Sequence, residues 1–447
     1  MSINEKTWQF VREHADEDVR KVALLGTRDP EVDLQMALQQ IAGIQTARKK
    51  LPSWAKVEGI IYPPHLNMEQ CSSERTAKYK GGLIRSLSPK GDRCSMMGDA
   101  VRFVDLTGGF GVDFYWMAKA FTHHPSPTTH RLIYLEQNET LCAIAESNFR
   151  LLGLDCSVCC CDTTTYLADM PHADLVYMDP ARRNEHGGRT YGIEDCTPNV
   201  LELLPQLMAK TDRLMLKLSP MLDWRKAVDD IQKPKANSQQ PIASVIEIHI
   251  VSVDNECKEL LLVISKNPVD KLRMVCVNFN KDKEQLFETS DGGEFPCTTQ
   301  TRDGSMGIGN HTSHLSSLTS PFLYEPNASI MKAGCFAEVE KQFPIWQISA
   351  NSHLFLSSVE IADFPGRKFQ ILAISSMNKQ EIKCKFREII NQKLTSMESA
   401  NIAVRNFPMT VDQLRKKLKL KDGGDTYIFA TTLASGEHKI LICRKIG

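Results

Sequence analysis

The stretch that most constrains this chain is Val101–Gly111, VRFVDLTGGFG. An apolar run ends in a carboxylate, Asp105, and passes at once into Thr107, Gly108, Gly109 and Gly111. A strand that feeds a glycine-rich turn brings backbone amides and a helix N-terminus close to a nucleotide-like ligand. A tight structural turn is the competing explanation of the same glycines, and their place directly after a strand favours the binding one.

The pattern then repeats. The apolar segments VRFVDL, RLIYLE, SVCCCD, DLVYMD and RLMLKLS each end at or near a polar residue, with helical patterns between them. One helix is predicted from Asn138, a good N-cap, through Leu141, Ile144, Ala145 and Phe149 to Gly153, a good stop. Another starts at Thr197–Pro198 and carries Val200, Leu201, Leu204, Leu207 and Met208. Strands alternating with helices predict a parallel sheet covered on both faces. The end of the block differs. SVIEIHIVS and ELLLVIS are joined only by VDNECK, too short for the crossover that parallel neighbours need, so they form a hairpin. The expected fold is α/β, with a seven-stranded Rossmann-like sheet of five parallel crossover strands plus an antiparallel hairpin. A nicotinamide-binding sheet lacks that ending.

The rest of the chain bounds the reading. Its 447 residues exceed one ordinary core. Residues 1–65 read as a helical segment, with Leu34, Ala37, Leu38, Ile41 and Ile44 on one face. The sheet occupies 66–270. A ferredoxin-like or other small α+β module is expected at 271–370 and a second α+β module at 371–447. Lys+Arg and Asp+Glu balance at 54 each, so the chain as a whole has no basic excess. Within Lys379–Lys421, however, 11 Lys+Arg stand against 4 Asp+Glu, a net charge of +7. The opening residues carry charges throughout, and no window approaches ~18 uninterrupted apolar residues, so a cytoplasmic protein without a membrane span is expected. Cys156, Cys159, Cys160 and Cys161 fall in one predicted strand whose alternation sends them to opposite faces. Buried reduced thiols are expected there, with no metal site and no disulfide framework.

Carboxylates at successive strand ends carry the chemistry. Asp105 stands where a nicotinamide fold usually has glycine, and it suits a ligand with a positive amino group. Glu136, ending the second strand, can accept hydrogen bonds from ribose hydroxyls or cap a helix in solvent. Asp162, ending the third, can meet an adenine amino group or simply start a turn. Asp179-Pro180-Ala181-Arg182-Arg183 follows the fourth strand, where wound sheets hold substrates. Proline restrains the backbone there. The arginines offer bidentate donors to phosphate or base edges, or surface salt bridges. Gly187–Gly188 suggests a mobile loop over the site. Lys217, at the next strand end, completes the wall or merely flanks the sheet.

Together the predicted strand order, DLTGGFG, Glu136, Asp162 and DPARR resemble class I S-adenosylmethionine-dependent methyltransferases. EQCSSERTAKYKG before the fold, KLSP after DPARR, and KLKLKDGGDTYIFATTL near the end narrow the resemblance to bacterial methyltransferase-like proteins with a THUMP-like C-terminal domain. The resemblance implies that Asp105, Thr107, Gly108, Gly109 and Gly111 hold the methionine end of S-adenosyl-L-methionine, Glu136 its ribose and Asp162 its adenine. It places Asp179, Pro180 and Arg182 in the acceptor slot, where base-amine methyltransferases carry Asp/Asn-Pro-Pro-aromatic. Ala181 and Arg182 here replace the second proline and the stacking ring. The THUMP-like module, assigned to 371–447, implies RNA as partner, tRNA or rRNA, and the basic tail agrees in sign. The expected activity is methyl transfer to RNA by in-line displacement, without a catalytic cysteine. The alternatives are a non-catalytic RNA-binding protein that keeps a cofactor fold, and a methyltransferase for protein or a small metabolite.

Overall fold

The structure, a computed structural model, describes residues 3–87, 101–122, 130–182, 192–234, 241–281, 283–291, 321–391 and 398–446. The chain divides into two compact units, Met1–Ile248 with Glu259–Leu272 and His249–Lys258 with Arg273–Gly447.

In the first unit, β1 (Val101–Asp105) lies between β2 (His130–Glu136) and β4 (Leu175–Met178), parallel to both. β3 (Ser157–Cys160) extends the sheet beyond β2, and β5 (Arg213–Leu218) extends it beyond β4, again in parallel. β7 (Glu256–Ser265) runs antiparallel to β5. Its hairpin partner is β6 (Ser244–Val253), and the turn residues Asp254 and Asn255 have φ of 50° and 63°. Two positive φ values in a two-residue loop match the right-handed twist of the flanking strands. The order β3-β2-β1-β4-β5-β7-β6 thus contains the five crossover strands and the closing hairpin.

The expected strand count needs correction. β8 (Leu272–Phe279) and β9 (Glu284–Asp291), which from Arg273 onward are counted with the second unit as is the His249–Lys258 end of the hairpin, continue the sheet beyond β6, giving nine strands rather than seven. β8 holds most of the segment MVCVNFN, which sequence alone assigns to the next module. The hairpin leaves an open edge of unpaired amides and carbonyls, and an apolar strand following in sequence satisfies them.

The helices of this unit are α1 (Glu5–His14), α2 (Val19–Leu25), α3 (Leu34–Lys50), α4 (His65–Gln70), α5 (Glu74–Leu87), α6 (Val112–Thr122), α7 (Glu139–Leu151), α8 (Thr163–Asp169), α9 (Val200–Lys210) and α10 (Trp224–Gln232). Asn138 caps α7 as anticipated, its Oδ1 accepting the Leu141 amide at 3.1 Å. α9 begins later than Thr197–Pro198 suggests, because Asn199 supplies the capping oxygen to Leu201. β3 is an edge strand of four residues, so Cys156 and Cys161 flank it. Cys160 is exposed, and Cys156, Cys159 and Cys161 are half-buried rather than buried. None of the described cysteines is in a disulfide. Among the described residues no helix is long and apolar enough to cross a membrane.

The N-terminal helices are fused to the sheet through a short extended segment. Asn148 of α7 accepts the Ile61 amide and donates to the Ile61 carbonyl, both at 2.9 Å. Gln40 of α3 does the same for Tyr62, at 2.8 and 3.0 Å. Two buried side-chain amides therefore stand in for the strands that Ile61–Tyr62 lacks. Trp54, Ile60, Ile61 and Tyr62 enter the same core as Phe103, Phe110, Phe114 and Phe149.

The second unit contains a seven-stranded sheet built from β10 (Phe322–Pro326), β11 (Trp346–Gln347), β12 (Phe355–Ser357), β13 (Gly366–Ser376), β14 (Asn401–Arg405), β15 (Thr426–Thr432) and β16 (His438–Lys445). Its order is β11-β12-β10-β13-β16-β15-β14. Two short helices, α11 (Ala328–Ala333) and α12 (Phe336–Gln342), follow β10. α13 (Lys379–Asn391) and α14 (Val411–Leu418) cover one face, burying Ile382, Ile389 and Leu414 against Ile428, Ala430, Ile440 and Ile442. Their outer sides expose Lys379, Lys383 and Arg387 at four-residue intervals, and Lys416 and Lys417, with Lys419 beyond the helix end.

The amide clamp on Ile61 is directly testable. Asn148→Leu keeps the branching of the side chain but strands a buried amide and a buried carbonyl. It should cost about 2 kcal/mol or more, read as a lowered midpoint in urea unfolding.

Candidate active site

Asp105 ends β1 with its side chain 1% exposed. Oδ1 accepts the Thr107 amide at 2.9 Å, whereas Oδ2 is buried without a hydrogen-bond partner. Burial pushes this carboxyl well above the usual range, against the pull of the Thr107 amide. Thr107 Oγ1 accepts the Asp179 amide at 2.6 Å and so ties the end of β1 to the end of β4.

The glycine turn differs from the sequence expectation in one respect. The Gly108 amide donates to the Leu135 carbonyl at 2.7 Å, that of Gly109 to Glu136 Oε2 at 2.9 Å, and that of Gly111 to the Gly108 carbonyl at 2.8 Å. With Thr107 donating to Asp105, these amides are committed to protein oxygens. They do not form a cradle for a pyrophosphate. Two of the glycines are there for close packing. A Cβ on Gly108 would lie 2.1 Å from the Tyr134 ring, and one on Gly111, whose φ is +83°, would lie 2.6 Å from the Phe149 ring. The structural reading of the turn is therefore realised.

Glu136 is half-buried and held by two amides, Gly109 at Oε2 and Asn138 at Oε1, both at 2.9 Å. Asp162 is exposed and caps α8, its Oδ1 accepting the Thr164 and Thr165 amides at 2.8 and 3.1 Å. The Thr164 hydroxyl and these amides hold its carboxyl below the usual range. This is the turn-starting role that sequence left open for Asp162.

On the acceptor side, Pro180 is buried and Asp179 has a side chain 38% exposed. Asp179 Oδ2 accepts from Lys217 Nζ at 2.5 Å. Burial raises the Asp179 pKa, and Lys217 opposes the rise. Burial pulls Lys217 down, yet Asp179 and Asp113 together hold it well above its ordinary value. Lys217 thus joins Asp179 to Asp113 rather than merely flanking the sheet. The backbone of Ala181–Arg182 pairs with Cys196–Thr197 in a short ribbon. Arg183 and Gly187–Gly188 lie outside the described residues.

Behind Lys217 runs a chain of buried charge that sequence reasoning missed. Asp113, in the first turn of α6, lies 3.4 Å from Lys217 Nζ and 3.1 Å from Lys80 Nζ. Its Oδ2 also accepts from Ser72 Oγ and Tyr177 Oη, each at 2.8 Å. Although burial pushes the other way, Lys80 and Lys217 bring Asp113 down to about 2. Lys80 of α5 is fully buried and also reaches Glu259 Oε2 of β7 at 2.5 Å and Ser72 Oγ at 3.1 Å. The available signal was a lone charge in apolar surroundings. Lys80 shares a helix face with Ala77 and Ile84, Asp113 is the second residue of VDFYWMAKAF, and Glu259 opens ELLLVIS.

Removing one member of this chain strands the others. Lys80→Met should destabilise the protein by about 3–5 kcal/mol. The double variant Lys80→Met/Glu259→Leu, which removes both partners of one pair, should recover much of that loss in guanidinium unfolding.

Comparison with known proteins follows the same division. A family model described as THUMP domain-like matches residues 366–445, and one described as a ferredoxin-like domain matches residues 322–365. The crystal structure of a candidate methyltransferase from Porphyromonas gingivalis W83 superposes with a TM-score of 0.76 at 27% identity, covering 100% of both chains. A candidate class I S-adenosylmethionine-dependent methyltransferase from Listeria monocytogenes aligns with 62% of this chain and 94% of its own, at 11% identity and a TM-score of 0.37. A candidate RNA methyltransferase from Pyrococcus horikoshii aligns with 49% of this chain and 94% of its own, at 14% identity and a TM-score of 0.30. No curated protein matches the chain significantly. The chain shares the fold of the Porphyromonas gingivalis methyltransferase-like protein over its whole length, and its C-terminal part carries a THUMP domain-like segment.

Proposed function

We propose that this chain is an S-adenosyl-L-methionine-dependent methyltransferase that modifies RNA. The observation that carries the reading is Asp105. Its Oδ2 is buried and unpartnered at the carboxyl end of the central strand. A buried carboxylate oxygen without a donor calls for a cationic partner, and the cofactor's methionyl ammonium is one. The committed amides of the glycine turn fit the same ligand, which brings no phosphate.

In this reading Asp105, Thr107, Gly108, Gly109 and Gly111 hold the methionine end. Glu136, fixed by two amides, presents its remaining lone pairs to ribose hydroxyls, and Asp162 faces adenine. When bound, the cofactor supplies a methyl group activated by a positively charged sulfur. The acceptor side belongs to the chain itself. Asp179 accepts a hydrogen bond from the nucleophile and takes its proton, a task helped by a carboxyl whose pKa burial has raised. Pro180 restricts the backbone beside it, and Arg182 positions a base or phosphate. Aligning the two reactants can supply roughly 7–11 kcal/mol of the barrier reduction.

RNA as the acceptor is favoured by the THUMP domain-like match at 366–445 and by the exposed cations of α13 and α14. A second reading, cofactor-fold RNA binding without transfer, draws on one observation. Ala181 and Arg182 stand where amine methyltransferases carry a second proline and a stacking ring.

Calorimetry with S-adenosylhomocysteine tests the core of the proposal. At pH values below the raised Asp105 pKa, binding should release a proton, because the ammonium favours the ionised carboxylate. Affinity should therefore rise with pH until the raised Asp105 pKa is passed and then level off. Asp105→Asn should weaken binding by about 1.5–3 kcal/mol, roughly 10- to 100-fold. No uptake by the unaltered protein ends the proposal.

Transfer is tested with labelled cofactor and total RNA. Asp179→Ala should abolish incorporation while S-adenosylhomocysteine still binds. Lys416→Glu/Lys417→Glu/Lys419→Glu should lower RNA affinity and flatten the log–log slope of affinity against salt by about 0.7–0.9 for each phosphate no longer neutralised. Cofactor uptake with no labelled RNA would instead favour the binding-only reading.

A further inference from the structure

The buried charges behind Asp179 form an alternating line, Glu259–Lys80–Asp113–Lys217–Asp179, with successive separations of 2.5, 3.1, 3.4 and 2.5 Å. It draws on β7, α5, α6, β5 and the end of β4. Three carboxylates face two ammonium groups, so the line carries one negative charge in excess when every member is ionised. The members are not equally supported. Asp113 is engaged by Lys80, Lys217, Ser72 and Tyr177. Glu259 is engaged by Lys80 and Ser72. Asp179 has Lys217 at one oxygen and is the most exposed of the three carboxylates.

We propose that Lys217 is the positioning residue of the acceptor site. It pins Oδ2 of Asp179 from behind, and Lys80 and Glu259 set how strongly it does so through Asp113. The excess charge of the line then resides on the carboxylate that borders the crevice, and Asp179 rather than Asp113 takes up a proton. Lys217 lies between two carboxylates that compete for it. Weakening Lys80's hold on Asp113 draws Lys217 away from Asp179. Removing the charge of Glu259 commits Lys80 to Asp113 and releases Lys217 toward Asp179. The proposal rests on the acceptor role given to Asp179 above. The other groups that bear on that carboxylate are Asp105 at the end of β1 and Tyr177 on β4, and neither changes in the variants below.

The test titrates Asp179 itself, by carbon NMR of the full-length chain labelled at aspartate carboxyls. Loss of one resonance in Asp179→Asn assigns the signal. Lys217→Met should raise the Asp179 midpoint by about one pH unit or more, and Lys217→Arg should restore much of the difference. The remote variants should act with opposite signs. Lys80→Met, or Lys80→Met/Glu259→Leu if the single variant fails to fold, should raise the midpoint. Glu259→Gln, which keeps the shape and one accepting oxygen for Lys80, should lower it. An Asp179 midpoint unmoved in Lys217→Met overturns the proposal, and so do remote variants that shift it in one common direction or not at all. If Lys217→Met does not fold, the signs of Glu259→Gln and the Lys80 variants decide. The titration needs neither cofactor nor RNA. A negative result here therefore leaves methyl transfer standing, and a chain that binds no S-adenosylhomocysteine fails the functional reading without touching this one.

Discussion

Asp113 sits in the first turn of α6 with two buried lysines, a serine and a tyrosine converging on its carboxylate. Taking that many charges out of water is unfavourable unless each finds a partner at close range. Here the partners come from several different elements, so satisfying Asp113 fixes those elements relative to one another. The helix N-terminus adds to the stabilisation, since its free amides favour a negative charge. α5 consequently stops being an appendage. Through Lys80 and Ser72, the segment before the sheet becomes part of the foundation under Asp179, and the clamps on Ile61 and Tyr62 fasten the residues preceding it.

The proposed cofactor rests on the charges that stand along the rim of the same unit's sheet. At the ends of β1, β2 and β4 stand Asp105, Glu136 and Asp179, and the turn amides that could attract an anion are already committed. Of the three carboxylates, only Asp179 has a lysine in direct contact. Asp105, the most buried, has an oxygen with no partner at all. A wound sheet with that charge distribution disfavours a pyrophosphate and favours a ligand that carries its own positive charge.

How much of this was legible follows from what each feature depends on. The parallel strands, the hairpin and the Asn138 cap are local signals, written in apolar runs and turn residues, and they hold. The two added strands were not legible because pairing along an open edge is decided by which strand is at hand, not by the pairing strand's own residues. The strand-end acids could be found by position. Asp162 could not be assigned, because a helix cap and an adenine contact ask for the same residue at the same place. Lys80, Asp113 and Glu259 are distant in sequence, and each reads alone as an oddity in an apolar run. Only the fold brings them within about a hydrogen bond's length of one another.

On the proposed function, the second unit bears on selectivity through a different physical argument. β10 pairs with β13, so the segments that resemble a ferredoxin-like and a THUMP-like domain share one continuous sheet. α13 and α14 bury their apolar sides on one face of that sheet and turn lysines outward. With RNA as the proposed partner such side chains would meet phosphates, and contacts of that kind supply affinity and register but carry no sequence information. Discrimination between one acceptor and another must then come from groups that make directional hydrogen bonds to the reacting moiety. In this chain the best-defined such group is Asp179, half-exposed at the crevice with one oxygen held from behind by Lys217. An acceptor that presents a hydrogen-bond donor to that carboxylate fits it, and one that presents only acceptors leaves a partly buried charge without a partner. The penalty for that mismatch, a few kcal/mol, is larger than any preference the exposed lysines can express.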